Sequence, residues 1–209
     1  PASPISDARD LEDGAAVVVE GTLTTALGDL EGGRAGFVQD PTAGIAVYLD
    51  AELAPAVPAG SRVRLAGTLD SRYAQRTLRV AAGGVVVLGS DALPAPATTA
   101  TGEAGEPVEG LRLTVTGTVT EAPSDLSDGL GLMVDDGTGP VRVIVGPAAL
   151  GVLDPARGDT VTATGPLGQR DSGGTGLAGY RLYATLPGEL VVEPPLASPS
   201  PTANPTPTA

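Results

Sequence analysis

The sequence predicts an all-β chain that folds as two tandem five-stranded Greek-key barrels. Short runs rich in Val and Leu alternate apolar and polar residues, which is the period of a half-buried strand. Gly and Pro, which account for 30 and 20 of the 209 residues, separate these runs as turns. One segment of about 80 residues occurs twice, so a single small unit is repeated.

The repeat is visible as matching segments that lie 96 positions apart. Residues 17–24 (VVVEGTLT) match residues 113–120 (LTVTGTVT), and residues 37–42 (FVQDPT) match residues 133–138 (MVDDGT) at the same offset. The extra residues of the second copy fall in turn-like segments, where loops tolerate insertions. A bias toward Val, Gly and Thr alone does not readily produce such a shared offset.

The repeat divides the chain into five segments. They are a lead-in at residues 1–14, a first barrel at 15–92, a linker at 93–108, a second barrel at 109–194 and a tail at 195–209. The linker is made mostly of small residues. The tail is rich in Pro, Thr and Ser and cannot bury a core, so we expect it to be disordered.

The first copy shows five strands in order, with one helical turn between the third and the fourth. The strands are expected at 17–24, 35–39, 45–49, 61–69 and 77–81, the last extended by 85–88, and the helical turn within 51–57. Gly21, in the middle of the first strand, predicts a bulge or a tight bend of the kind barrels use at corners. Pro55 and Pro58 keep the helical turn short.

This order of elements is that of an OB-fold barrel. Both copies leave 11 or 12 residues between strands three and four, where an OB-fold places its helix. An immunoglobulin-like sandwich is the alternative, but it needs about seven strands per copy. We expect two separately folded barrels with aliphatic cores. The predicted core residues are Val17, Val19, Leu23, Ile45, Val47, Val63 and Leu65 in the first barrel, and Val115, Val119, Val141, Val143 and Val161 in the second.

Five short motifs of the first copy follow one another in a characteristic order. They are LEDG at 11–14, VEGTL at 19–23, GFVQD at 36–40, GIAVY at 44–48 and GSRV at 60–63. This order resembles the OB-fold repeats of secreted bacterial proteins, which are often found beside lamin-tail or endonuclease/exonuclease/phosphatase domains. The resemblance implies an extracytoplasmic accessory module, in some cases nucleic-acid-binding, with no catalysis within these residues. In the second copy Met133 and Ile144 replace Phe37 and Tyr48, so the resemblance there is weaker.

The composition leaves few residue types for catalysis. The chain has no Cys, no His and no Lys, and its 12 basic residues are all Arg. This excludes disulfides, Cys- or His-based metal sites and a Ser-His-Asp triad. A catalytic pair of Asp135 and Asp136 is disfavoured because adjacent strand residues point to opposite faces. We therefore expect no enzyme activity, no cofactor and no metal site, and the acidic loops at 125–129 and 135–139 are expected to be ordinary turns.

The net charge of −13 disfavours tight generic binding to nucleic acid or to an anionic membrane. No apolar run reaches the roughly 18 residues that span a membrane, so no membrane insertion is expected. The formal charge is near −2 in the first copy and near −6 in the second. A polyanion is therefore expected to prefer the first copy.

OB-folds bind ligands along their second and third strands and through the loops after the first and fourth. In the first copy this geometry predicts a ligand site whose residues are Arg34, Tyr48, Arg72, Tyr73 and Arg76. Arg contacts phosphate, and Tyr stacks on bases. The alternative is that these Arg residues only solvate the outer face of the barrel. Any binding is expected to be weak and salt-sensitive, no tighter than roughly micromolar.

Together these features predict a non-catalytic, extracellular or cell-surface module of a larger secreted or surface protein. Its expected partners are single-stranded nucleic acid or another extracellular polymer, and other domains or copies of the larger protein. The alternative is a structural spacer, adhesin or subunit of a cell-surface assembly. A basic groove lined by aromatic residues distinguishes the two, and in the sequence it is partial in the first copy and absent from the second.

Overall fold

The structure, a computed structural model, describes residues 1–195. The predicted disordered tail lies outside the described residues from position 196 onward. Within the described part of the chain, no helix is both long enough and apolar enough to cross a bilayer.

The first half of the chain forms a closed five-stranded barrel. Its elements are α1 (Ile5–Arg9), β1 (Ala16–Leu23), β2 (Ala35–Gln39), β3 (Gly44–Leu49), β4 (Ser61–Arg72), β5 (Gln75–Val80), a 3₁₀ turn (Ala82–Gly84) and β6 (Val85–Ser90). Strands pair in the order β1-β2-β3-β5-β4, and β1 also pairs with β4, so the sheet closes on itself. Among these strands, only β3 and β5 are paired in parallel. Both β5 and β6 pair with β4: β5 pairs with its C-terminal part and β6 with its N-terminal part.

The second half repeats this topology. Its elements are β7 (Ala97–Thr98), two 3₁₀ turns (Thr101–Glu103 and Glu106–Val108), β8 (Arg112–Val119), β9 (Ser124–Leu126), β10 (Gly129–Asp135), β11 (Val141–Val145), α2 (Pro147–Leu150), β12 (Thr160–Gln169), β13 (Tyr180–Ala184) and β14 (Leu190–Glu193). The barrel order is β8-β10-β11-β13-β12, closed by β12 with β8, and β11 and β13 are parallel. The predicted fold class, two tandem five-stranded OB-fold barrels, is confirmed.

The aliphatic cores also agree with the prediction. All twelve predicted core residues are buried, and the most exposed of them, Val17, retains 8% of its surface.

Gly21 lies near the end of β1. This strand pairs with β4 from Ala16 to Thr22 and with β2 from Thr22 onward, so Gly21 comes just before the second pairing begins. A Cβ atom at this position would come within 2.7 Å of the Gln39 carbonyl oxygen, and the register with β4 has no shift there. The structure therefore shows no bulge at Gly21, and the absence of a side chain there lets the backbone of β2 approach closely.

The helical turn predicted within residues 51–57 is wrong. The first barrel has no helix between β3 and β4, and Leu27 and Val57 instead exchange two backbone hydrogen bonds there. Pro55 and Pro58 provide no N–H groups for a helix. The second barrel does form a helix at this point, α2, whose Pro147 lies in the first turn, where a missing N–H has no cost.

The lead-in segment and the linker pack on the barrels that follow them. Ile5 and Ala8 of α1 are fully buried in the first core. The Ser3 N–H donates to the Val18 carbonyl at 2.8 Å, and the Thr99 N–H donates to the Thr114 carbonyl at 3.0 Å. These two bonds lie 96 positions apart, so the structural repeat begins earlier than the sequence indicated. We call residues 1–9 and 97–104 the straps of the two barrels.

One aspartate anchors each strap. Asp40, in the turn between β2 and β3, accepts the Ile5 N–H at 2.8 Å. Asp136, its equivalent in the second copy, accepts the Thr101 N–H at 3.1 Å. Although burial opposes the shift, hydrogen bonds from Thr42, Ile5 and Ala43 hold the pKa of Asp40 below its usual value.

Replacing Asp40 with Ala is expected to lower the free energy of unfolding by about 1–2 kcal/mol, because the Ile5 N–H and the turn lose their acceptor. Urea denaturation of the whole chain measures this change. Asp50→Ala is the matched control, since Asp50 is exposed and its one ion pair within residues 1–195 is with the exposed Arg79 at 3.5 Å. The control is expected to shift stability by less than about 0.5 kcal/mol. Equal stabilities for the two variants would contradict the anchoring role.

Candidate ligand-binding site at the seam between the barrels

The two barrels pack against each other through an apolar cluster that we call the seam. Its members are Leu30, Ala35, Phe37, Ala46, Ile144 and Tyr183, with Tyr48 at its edge. The rings of Phe37 and Tyr183 meet with centroids 5.5 Å apart. The first-barrel members come mainly from β2 and β3, the face that OB-folds use for ligands. In this chain the second barrel therefore covers much of that face.

Hydrogen bonds fix the orientation of the two barrels. Five backbone N–H groups donate across the interface, namely Gln169 to Gln75 Oε1 (2.7 Å), Arg112 to Gln39 Oε1 (2.8 Å), Asp171 to the Tyr73 carbonyl (2.8 Å), Arg76 to Glu109 Oε1 (3.0 Å) and Glu31 to Asp128 Oδ1 (3.1 Å). The backbones also meet directly at Gly44 and Gly110, where a Cβ on Gly44 would lie 1.9 Å from the Gly110 carbonyl oxygen. The expectation of two separately folded barrels did not include this shared interface.

Backbone strain is concentrated at the same place. Within the described residues, the non-glycine residues with positive φ are Glu31 (49°), Tyr73 (53°) and Ala74 (68°). Tyr73 and Ala74 form the two-residue turn between β4 and β5, which requires positive φ at both central positions and normally contains Asn or Gly. Each such residue costs about 1–2 kcal/mol. Two of the three, Glu31 and Tyr73, make hydrogen bonds across the seam, so contacts with the second barrel help to offset this cost.

Three of the five predicted site residues come together here. The Arg72 guanidinium carbon lies 3.8 Å from the ring centroid of Tyr48 and 5.3 Å from that of Tyr73. Arg72 also forms an ion pair of 2.8 Å with Glu31. The second barrel adds Arg170, whose guanidinium carbon lies 4.6 Å from the ring centroid of Tyr73. One face of Tyr48 is thus already covered by a guanidinium group, whereas Tyr73 remains 43% exposed.

The other two predicted site residues lie apart from this cluster. Arg34 precedes β2, and its exposed side chain forms none of the ion pairs or hydrogen bonds found within residues 1–195. Arg76 holds the lead-in instead, because its guanidinium donates to the Arg9 carbonyl at 3.0 Å and contacts Asp13 and the Leu11 carbonyl. A role in ligand binding for all five residues stays a prediction.

The sequence did not single out three arginines of the second barrel. Arg142, Arg170 and Arg181 take part in none of the ion pairs formed within the described residues. Arg142 and Arg181 are direct neighbours in the parallel pairing of β11 with β13 and line an open groove of about 610 Å³ with Thr101 and Thr138. They are 39 positions apart in the sequence, so only the barrel topology brings them together.

The acidic loop at 135–139 uses both of its carboxylates in hydrogen bonds within the chain. Hydrogen bonds from Thr138 and Thr101 hold the pKa of Asp136 well below its usual value. Asp135 accepts the N–H groups of Gly137 and Gly139 at 2.7 and 3.2 Å. Asp135 therefore holds the turn, and Asp136 holds both the turn and the strap. The described part of the chain has no cluster of three or more potential metal-binding side chains.

No known family model matches this chain, and no curated protein does. Solved structures with a similar fold include a murine DNA-binding protein bound to double-stranded DNA, at 15% identity and a TM-score of 0.41, covering 88% of this chain and 98% of that chain. They also include the p204 HINb domain, at 14% identity and a TM-score of 0.37, covering 88% and 99%. A replication protein A heterotrimer bound to single-stranded DNA has 9% identity and a TM-score of 0.39, covering 93% and 52%. At these identities the similarity concerns the fold alone.

Proposed function

We propose that this chain is a non-catalytic tandem OB-fold module of a larger secreted or surface protein and that it binds an anionic polymer such as single-stranded nucleic acid. The observation that carries the proposal is the side-by-side placement of Arg142 and Arg181 in an open groove, without a carboxylate partner in the described chain. In a chain with a net charge of −13, acids are abundant, and two neighbouring guanidinium groups left without one suit an external anion.

The groove continues toward residues suited to the same ligand. Arg181 lines both the groove and a smaller pocket that also contains Arg170, and the Arg170 guanidinium lies beside the partly exposed ring of Tyr73. Guanidinium groups bind phosphates, and a stacked base contributes about 1–3 kcal/mol. The extracellular or surface location is supported by the composition of the Pro/Thr/Ser tail and by the resemblance of the first copy to repeats of secreted proteins.

Binding of a labelled oligothymidine by the whole chain tests the proposal. At low salt we expect a dissociation constant of roughly micromolar or weaker, and a further loss at physiological salt, because the overall acidic field opposes the ligand. Arg142→Gln is expected to weaken binding about three- to tenfold. Arg157→Gln is the matched control, because Arg157 is exposed in the loop before β12 and its replacement removes the same charge elsewhere.

A smaller loss with Arg157→Gln than with Arg142→Gln supports a defined groove. Equal losses would indicate only a response to net charge and would contradict the site. If the oligonucleotide does not bind at low salt, the proposal is overturned and the structural function below is favoured.

A structural function is the second candidate, and the seam favours it. The two barrels are held in one orientation by an apolar cluster and by five hydrogen bonds, and a spacer or assembly subunit requires such rigidity. This candidate predicts a chain that keeps its fixed barrel orientation and binds no anionic polymer at any salt concentration.

A further inference from the structure

A second and smaller pocket, of about 260 Å³, lies in the second barrel where it meets the seam. None of the five residues of the predicted site lines it. The polar residues that line it are Ser127, Asp128, Arg170, Ser172, Arg181 and Tyr183.

Tyr183 is the most informative of these residues. Tyr183 is buried, with 7% of its surface exposed, and its ring packs against Phe37 in the seam. Its hydroxyl takes part in none of the hydrogen bonds found within residues 1–195 and is not one of the fully enclosed polar atoms that lack a partner, so it faces the open pocket. Phenol hydroxyls usually have a hydrogen-bond partner, so this donor in the wall of the pocket is free to bind a ligand or water. Burial raises the pKa of Tyr183 to about 12, which keeps the hydroxyl protonated and able to donate.

Two guanidinium groups face the same space. Arg170 is held against the ring of Tyr73, and the Nε of Arg181 donates to the Gly179 carbonyl at 3.4 Å. Neither has a carboxylate partner among the described residues. The pocket also contains one carboxylate, Asp128, whose Oδ1 accepts the backbone N–H of Glu31.

The neighbouring charges leave the pocket electropositive. The carboxylate of Glu31 is neutralised by its 2.8 Å ion pair with Arg72. Arg170 and Arg181 then outnumber Asp128, so the local charge is positive in a strongly acidic chain. With the Tyr183 hydroxyl and the hydroxyls of Ser127 and Ser172, the pocket offers many donors in a space suited to a small group.

We propose that this pocket binds a phosphomonoester group, a compact oxyanion whose charge at neutral pH is about −1.5 to −2. The proposal deepens the proposed function, since it rests on that function for one source of the group, the terminal phosphate of an anionic polymer. Free phosphate is the other source with the same chemistry. The guanidinium groups of Arg170 and Arg181 and the hydroxyl of Tyr183 donate to its oxygens.

The test compares two oligothymidines of equal length, one with and one without a 5′-phosphate, and adds thermal unfolding in inorganic phosphate. For the whole chain, we expect the 5′-phosphate to tighten binding about tenfold at low salt. We expect inorganic phosphate to raise the melting temperature relative to chloride at equal ionic strength. Tyr183→Phe keeps the ring in the seam and should remove both effects while leaving binding of the unphosphorylated oligonucleotide unchanged.

Two further variants make the result specific. Arg170→Gln removes a pocket charge outside the apolar cluster and should also reduce the phosphate effects. Tyr180→Phe removes a phenol hydroxyl whose partners, Glu106 and the Gly176 carbonyl, lie outside the pocket, and it should preserve the phosphate effects.

Each outcome separates this inference from the proposed function. If the unphosphorylated oligonucleotide binds but phosphate has no effect in either assay, the pocket proposal is overturned and the proposed function stands. If neither oligonucleotide binds and inorganic phosphate stabilises the chain but not Tyr183→Phe, the pocket proposal stands with free phosphate as its ligand, and the proposed function fails. An effect of phosphate that persists in both Tyr183→Phe and Arg170→Gln would overturn the pocket proposal.

Discussion

Replacing Glu189 with Ala is expected to lower the free energy of unfolding by about 3–5 kcal/mol. The Glu189 side chain is only 4% exposed, and its Oε1 accepts a 2.8 Å hydrogen bond from Arg112, which is also largely buried. Its Oε2 accepts the N–H groups of Thr185 and Leu186, each at 2.9 Å. Without Glu189, a buried guanidinium loses its counter-charge and two backbone donors lose their acceptor, and each of these losses is costly.

Urea denaturation measures this difference, with Glu193→Ala as the matched control. Glu193 is exposed at the end of β14, and its removal is expected to change stability by less than about 0.5 kcal/mol. A loss below about 1 kcal/mol for Glu189→Ala would show that the ion pair with Arg112 does not stabilise the second barrel.

The second large effect concerns pH and Glu109, which lies at the interface between the barrels. Burial raises the pKa of Glu109 to about 7 from 4.5, against the attraction of Arg9, whose guanidinium nitrogen lies 3.3 Å from Oε2. The nearby carboxylate of Glu106 adds to the increase, and the N–H of Arg76 opposes it. The folded chain therefore holds this proton more tightly than the unfolded chain does.

The sign of the pH dependence follows from that difference. The contribution of protonated Glu109 to stability is fully present below pH 4.5 and is lost as the pH rises through about 7. The shift corresponds to a decrease in the free energy of unfolding of about 3 kcal/mol over this range. Glu109→Gln, which still offers an oxygen to the Arg76 N–H, is expected to remove this decrease.

Urea denaturation of the chain and of Glu109→Gln at a series of pH values provides the comparison. The difference between the two curves isolates Glu109 from other carboxylates, which are common to both proteins. Glu121→Gln is the control and should retain the slope of the unmodified chain, because Glu121 is exposed and is not among the groups that shift the pKa of Glu109. Parallel curves for the chain and Glu109→Gln would disprove the coupling.

Local patterns predicted the barrels well because alternation reports which residues face a core. Val19, Leu65 and Val143 occupy alternating positions in strands and are all fully buried. The strap of the first barrel escaped this reasoning because only Ile5 and Ala8 of a five-residue helix are buried, too few to set a period. Asp40 and Asp136, which anchor the straps, lie within the matched segments of the repeat. Their partners Ile5 and Thr101 lie outside the two copies, so the repeat did not reveal these contacts.

The candidate site was only partly predictable for a different reason. Arg72 and Tyr73 are neighbours in the chain, and Tyr48 joins them through the β3–β5–β4 pairing, so the strand order was sufficient to group them. Arg170 and Arg181 join them through the docking of one barrel on the other, which no strand period encodes. One signal was present in β2, where four consecutive residues from Ala35 to Val38 are buried. A run of small and apolar residues without alternation indicates a strand covered on both faces.

Under the proposed function, the covered face of the first barrel limits the number of binding grooves on one chain. Two independent OB-fold barrels would offer two equivalent sites, and a polymer that bridged them would gain avidity from the second contact. Here the β2–β3 face of one barrel packs against its neighbour, and the open groove with Arg142 and Arg181 belongs to the other. Under the proposed function, the duplicated barrel is therefore monovalent for this groove, which only residues of the second half of the chain line, and gains in avidity require more than one chain.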